Sequence, residues 1–230
     1  MMPPEGPTVR AVVFDLDDTL YPERDYVRSG YGAVAEHLRR RLGRQNPFED
    51  WLWRRFRSGR SSGAFDALNE HFALGMPDAD IAGLVNVYRR HRPTIQPRPG
   101  AVDVLAGLRE RYPLGLLSDG YLPAQRLKLE ALGLAGLFRA VVFTEEMGRE
   151  CWKPSAAGYE AVRAQLGTPD EACAYVADNP AKDFLAPNRL GWRTVRLLCE
   201  GQVHADEPAP EGGAARITIG RLADLEAALT

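Results

Sequence analysis

Residues 11–20 read AVVFDLDDTL: four apolar residues, Ala11 to Phe14, then Asp15, Asp17 and Asp18 within four positions. An apolar run of this length with no polar position for solvent is a strand buried on both faces, as in the middle of a parallel sheet. Carboxylates at the end of such a strand stand where open α/β sheets bind ligands, beyond the carboxyl ends of the strands. Asp15 and Asp17, two apart, point to one side and Leu16 to the other.

Similar runs recur along the chain: LGLLSDG at 114–120, AVVFTEE at 140–146, CAYVADN at 173–179, TVRLL at 194–198 and RITI at 216–219. Helical patterns at 101–112, 123–134, 155–167 and around 181–191 lie between them. Alternating strand and helix predicts an α/β fold, a doubly wound parallel sheet with right-handed crossovers. Residues 22–95 break the rhythm. They read as helices near 25–42, 48–58, 64–73 and 79–91, an all-helical insertion between the first two strands. The expected division is therefore a core of 1–21 and 96–230 with a helical domain of 22–95. The stretch GQVHADEPAPEGGAA at 201–215 reads as a loop before the last strand.

Composition excludes more than it selects. The 230 residues are 45% hydrophobic and 26% charged with a formal net charge of -2, so nothing global points to nucleic acid or an anionic membrane as partner. No apolar run approaches the ~18 residues of a membrane span, and MMPPEGPTVR lacks a basic start followed by an apolar stretch, so a cytoplasmic protein is expected. The oligomeric state is not legible. Cys151, Cys173 and Cys199 are widely spaced, which predicts reduced, mostly buried thiols, and the four histidines form no zinc-ligand spacing. Over 22–92 there are 13 Arg against 9 Asp or Glu, an excess that suits solvated helix faces or an anionic substrate.

The strand ends bring distant polar residues together. Ser118, Asp119 and Gly120 close the second strand, Lys153 opens the helix after the third, and Asp178 and Asp183 follow the fourth. Three carboxylates in one crevice repel or take up protons, and a divalent cation removes the conflict. All-oxygen ligation suits Mg²⁺, which shares its coordination with a substrate phosphate. Lys153, the Ser118 hydroxyl and backbone N–H groups of Ser118–Gly120 would then bind the phosphate oxygens.

The motifs D-x-D-x-T (Asp15, Asp17, Thr19), a strand-closing Ser118, Lys153-Pro154 and D-x-x-x-x-D (Asp178, Asp183), in that order, resemble the haloacid dehalogenase (HAD) superfamily over nearly the whole chain. The helical insertion resembles that family's C1-type cap. The resemblance implies a Mg²⁺-dependent phosphatase acting on a small phosphorylated substrate. In it, Asp15 is the nucleophile that forms an aspartyl-phosphate and Asp17 the general acid and then base. The metal is held by Asp15, the Asp17 backbone carbonyl and Asp178, with Asp183 a ligand or a partner through water. Thr19 orients the loop, and Ser118 and Lys153 hold the phosphoryl group.

A phosphoryl-transferring mutase, a carbon–halogen hydrolase and a non-catalytic module on the same fold are the alternatives. Asp17 argues against the second, and the retained set of mutually repelling carboxylates against the third. Ala177 stands where the family commonly has Gly, and GRECWKP is a longer approach to the lysine than usual, with Trp152 read as packing before a wall of the site. Asp18 and Asp119 sit at positions the motifs leave open and read as capping or exposed side chains, whereas Tyr21, Arg24 and Arg28 read as cap packing, with reach to a substrate from the cap hinge as the alternative. Gln125 and Lys128 are expected to support the loop after the second strand.

Overall fold

The computed structural model describes residues 8–230; the N-terminal segment read above, and with it the first residues of the expected core range, lies outside the described residues up to position 7. Six strands, β1 (Ala11–Phe14), β2 (Leu114–Ser118), β3 (Ala140–Phe143), β4 (Cys173–Ala177), β5 (Arg193–Leu197) and β6 (Ile217–Ile219), form one sheet in the order β3-β2-β1-β4-β5-β6. All pairings are parallel, with Phe14 opposite both Leu116 and Val176. The order reverses at β1, which places a switch point between β1 and β4, where such sheets open a ligand crevice. The apolar run stops being strand at Phe14 rather than Asp15, and the Asp15 N–H donates to the Val176 carbonyl at 2.9 Å. That bond pins the first carboxylate to the end of the neighbouring strand.

β1 is buried along its whole length, as its composition requires. One face of the sheet packs Val13, Leu117, Tyr175 and Ala177 against Tyr159, Val162 and Trp192. Helix α7 (Ala157–Leu166) lies close over β2. A Cβ on Gly158 would stand 2.8 Å from Leu117 Cδ1, so the close approach requires glycine there. The other core helices are α5 (Ala101–Arg109), α8 (Leu185–Arg189) and α9 (Leu225–Leu229). α8 is shorter than the 181–191 reading, because residues 178–183 form a turn of their own: Asp183 N–H donates to the Asn179 carbonyl and Ala181 N–H to Asn179 Oδ1.

The described residues divide into two compact units: residues up to Arg24 with Gln96–Tyr121 and Leu132–Thr230, and Asp25–Ile95 with Leu122–Ala131. The second unit contains α1 from Asp25 onward (the helix spans Glu23–Leu42), α2 (Phe48–Arg57), α3 (Ala64–His71), α4 (Asp78–Arg90) and nearly all of α6 (Ala124–Leu132). On α1 the buried positions 27, 31, 34, 35 and 38 recur every three or four residues and meet Phe48, Leu52, Leu68 and Leu84 from α2, α3 and α4. Gln125 and Lys128, read as supports of the β2 loop, group with this helical unit, where the buried Lys128 ammonium lies 4.1 Å from the Tyr26 ring centroid. Arg28 stacks over Trp53 in the same unit.

Of the cysteines only Cys173 is buried; Cys151 and Cys199 are half-buried, which corrects the expectation of mostly buried thiols. None of the helices among the described residues is long and apolar enough to cross a membrane.

Candidate active site

The carboxyl ends of β1, β2 and β4 deliver the polar residues. Asp15, Asp178 and Asp183 are buried, and one carboxylate oxygen from each lies within 4.8 Å of the others. Lys153 reaches this cluster from the segment before α7. Its Nζ donates to Asp15 Oδ1 at 2.5 Å and to the Tyr175 hydroxyl at 3.0 Å, and stands 2.7 Å from Asp183 Oδ1. The approach to Asp183 is off the hydrogen-bond direction, so this third contact is ionic only. Asp183 Oδ2 accepts the Asn179 N–H at 3.0 Å.

The charges do not balance. Burial is the largest influence on Asp15 and raises its carboxyl to about 7, with Lys153 pulling it down and Asp183 pushing it up. Asp178 is driven well above the ordinary carboxylate range, first by burial and then by Asp183 and Asp15. For Lys153 burial favours the neutral amine, but Asp15 and Asp183 outweigh it and hold the ammonium firmly charged.

Asp178 also carries the clearest mark of a missing partner: its Oδ2 is buried and makes no hydrogen bond, while Oδ1 receives only a long 3.5 Å approach from Thr19 Oγ1. A buried, unpaired carboxylate oxygen facing two further carboxylates fits a hard divalent cation, so the residues present suit Mg²⁺.

The other predicted residues divide into two sets. Asp17 is half-buried, and the fully buried Tyr21 hydroxyl donates to its Oδ1. Ser118 is fully buried, and among the described residues its Oγ makes only a 3.5 Å approach to the Asp119 carbonyl. Gly120, at φ 127°, turns the chain after β2 in a conformation that side chains other than glycine avoid. Asp119 is not exposed as expected. Its Oδ1 accepts Thr144 Oγ1 at 2.7 Å and its Oδ2 the Lys153 N–H at 3.0 Å, so its carboxylate ties the β2 loop to β3 and to the lysine, leaving main-chain groups as its means of meeting an anion.

Of the two expectations for Asp18, capping holds and exposure does not. It sits at φ 51°, a left-handed conformation that aspartate tolerates, and is fully buried. Its carboxylate accepts the N–H of Glu23, the first residue of α1, at 2.9 Å and that of Val203 at 2.6 Å, with Arg98 at 3.4 Å. Its carbonyl accepts Arg98 and Gln202. It is both a helix cap and a buried tie. Arg24, exposed, donates to the Gly201 carbonyl within the core unit, and Trp152 packs edge-on to Tyr121 at 5.6 Å. Ala177 ends β4 with its methyl in the core, which accommodates it in place of glycine.

Tyr175 is the site residue that the sequence hides. In CAYVADN it looks like one more strand-forming side chain, and only its position on the face of Ala177, two residues on, hints that its polar tip lies near the strand-end cluster.

Comparisons with known proteins agree with this geometry. The sequence pattern of the haloacid dehalogenase-like hydrolases matches residues 9–191. A glyceraldehyde 3-phosphate phosphatase of Methanopyrus kandleri is 30% identical over 205 residues, covering 82% of this chain and 84% of that protein. A phosphoserine phosphatase of Thermus thermophilus is 29% identical, covering 81% and 88%. Among solved structures, the HAD-hydrolase YfnB of Bacillus subtilis, bound to magnesium, matches with a TM-score of 0.69 and 20% identity over 97% of this chain and 99% of that one, a likeness of fold. Since the matched span carries every strand end that builds the cluster, the chain belongs to the haloacid dehalogenase-like hydrolase family, as a member of phosphatase type.

Proposed function

We propose that this protein is a Mg²⁺-dependent phosphomonoester hydrolase that acts on a small phosphorylated metabolite through an aspartyl-phosphate at Asp15. The observation that carries the reading is the buried cluster of Asp15, Asp178 and Asp183, with the Lys153 ammonium against Asp15 and Asp183, at the carboxyl edge of a parallel sheet. The relatives named for glyceraldehyde 3-phosphate and phosphoserine support small substrates.

In this reading Asp15, Asp178 and the Asp17 carbonyl hold the cation, and Asp183, engaged with Asn179 and Lys153, braces them. Bound there, Mg²⁺ offsets the clustered negative charge and polarises the phosphoryl oxygens. Lys153 and Ser118 bind the remaining phosphoryl oxygens, with main-chain N–H groups of Asp119 and Gly120. A carboxylate oxygen of Asp15 attacks phosphorus while the ester P–O bond breaks, and Asp17 gives its proton to the leaving oxygen. Asp17, now a carboxylate, takes a proton from the water that attacks the aspartyl-phosphate, and inorganic phosphate leaves with Asp15 restored. Tyr21, donating to Asp17 Oδ1, fixes the direction of that carboxyl group. Residues 22–95 act as a cap that selects the substrate, and the protein works in the cytoplasm.

The test is release of phosphate from p-nitrophenyl phosphate and from a panel of small phosphomonoesters led by three-carbon compounds. Turnover is expected with Mg²⁺ and loss of it with EDTA; turnover undiminished by EDTA would refute the metal assignment.

A stability measurement checks the electrostatics separately. Because folding raises the Asp15 pKa from 3.8 to about 7, the metal-free folded state holds a proton that the unfolded chain has already released. That contribution to stability is present below the unfolded pKa and is lost as pH rises towards 7. Mg²⁺ replaces the proton and binds the folded state alone, so its stabilisation grows with pH. The gain in melting temperature with Mg²⁺ over EDTA is expected to be larger at about pH 8 than at about pH 5; equal gains at both would contradict it.

A further inference from the structure

The geometry points to Tyr175 as a positioning residue whose hydroxyl keeps the Lys153 ammonium aimed at the phosphoryl site throughout the reaction, a role that rests on the reading of Lys153 as the phosphoryl-binding cation. A lysine ammonium has three N–H bonds on a flexible stem and needs fixed acceptors to hold a direction. Here two of its three contacts are carboxylates, Asp15 at 2.5 Å and Asp183 at 2.7 Å, and the third is the neutral Tyr175 hydroxyl at 3.0 Å.

The contacts differ in what the reaction does to them. Asp15 must turn its oxygen to phosphorus and, once phosphorylated, loses its formal charge, which weakens its hold on Lys153. The phenol undergoes no such change, and it accepts from the ammonium without adding negative charge beside an incoming phosphate. It is also rigidly placed. Tyr175 lies in the middle of β4, edge-on to Tyr159 at 4.9 Å and near Phe184 at 6.5 Å, and all three rings are fully buried.

The second phenol extends the connection. The Tyr175 ring packs edge-on to that of Tyr159, whose hydroxyl donates to the Asp183 carbonyl at 2.7 Å. Burial keeps both phenols protonated. The ammonium is thus held by a phenol of β4 whose ring packs on Tyr159 of α7, itself bonded to the turn of residues 178–183. Lys153 is thereby held in register with the carboxylates even when Asp15 is engaged with phosphorus.

Tyr175→Phe removes the hydroxyl and keeps the ring. In the full-length Mg²⁺-loaded protein it is expected to lower kcat/KM for p-nitrophenyl phosphate about tenfold, the usual cost of one hydrogen bond to a charged group. Affinity for orthovanadate, read by thermal shift, should fall by the same factor, while the melting temperature without ligand and the Mg²⁺ concentration for half-maximal stabilisation hold. Tyr159→Phe, which leaves the Lys153 contact in place, should lose about threefold of the vanadate affinity.

In a Lys153→Met background Tyr175→Phe should cost nothing further in vanadate affinity. An equal loss in both backgrounds, or unchanged kcat/KM and vanadate affinity in Tyr175→Phe, would overturn the positioning role and leave the phosphatase reading intact. A wild-type protein that neither turns over phosphomonoesters nor binds vanadate would overturn both.

Discussion

Asp15→Asn is expected to abolish phosphate release, lowering turnover by about 10⁴-fold or more, as removal of a covalent nucleophile does when the remaining site is intact. An asparagine fits the same space, but its amide nitrogen and poorly nucleophilic oxygen cannot form the acyl-phosphate. The substitution should not unfold the protein. Burial already makes the charged form of Asp15 costly, and Lys153 keeps Asp183 beside it when the Asp15 charge is gone. Orthovanadate binding should survive in part, because Lys153, Ser118 and the β2 loop remain. The outcome to measure is thus a folded protein, by its melting temperature, that retains an oxyanion ligand and has lost the reaction. Activity within tenfold of wild type would remove Asp15 from the nucleophile's role.

The second large effect separates the two half-reactions. Asp17→Asn cannot give a proton to the leaving oxygen or take one from water, and each proton transfer is worth about 10²–10⁴-fold. The amide oxygen can still accept from Tyr21, so the local geometry stands. A leaving group that departs without protonation, such as p-nitrophenolate, partly relieves the first step, whereas hydrolysis of the aspartyl-phosphate still needs its base. The variant should therefore phosphorylate slowly on p-nitrophenyl phosphate and then stall, with a burst of nitrophenolate of about one equivalent and little steady-state turnover. For an alkyl phosphate, whose leaving group needs the proton, even the burst should vanish. Steady-state turnover near the wild-type rate would contradict the assignment.

How much of this was legible follows from which forces are local. The strand of Ala11–Phe14 reads directly from its sequence because both of its faces are buried, and the carboxylates beyond it then have one place to be. Lys153, Asp178 and Asp183 follow by the same reasoning from β3 and β4. Asp18 could not be read so. Its burial depends on Arg98, Gln202 and Val203, which the fold brings from far along the chain, and the aspartate itself carries only the local preference for a turn. Asp119 was misread for the same reason, its partners Thr144 and Lys153 coming from beyond β3. Tyr175 was invisible because a phenol in an apolar strand satisfies the pattern of a core side chain whether or not its hydroxyl has work. The grouping of α6 with the helical unit is likewise a matter of tertiary contact, since the helix follows β2 in sequence and looks like an ordinary crossover.

The central claim is a phosphoryl group carried covalently by Asp15. The measurement that bears on it most directly is mass spectrometry of the Asp17→Asn protein, quenched in acid after mixing with Mg²⁺ and p-nitrophenyl phosphate. The account predicts one added phosphoryl group per chain, located to the peptide containing Asp15 and lost on brief treatment with neutral hydroxylamine. Nitrophenolate release with no covalent adduct, or an adduct on any other residue, would contradict it.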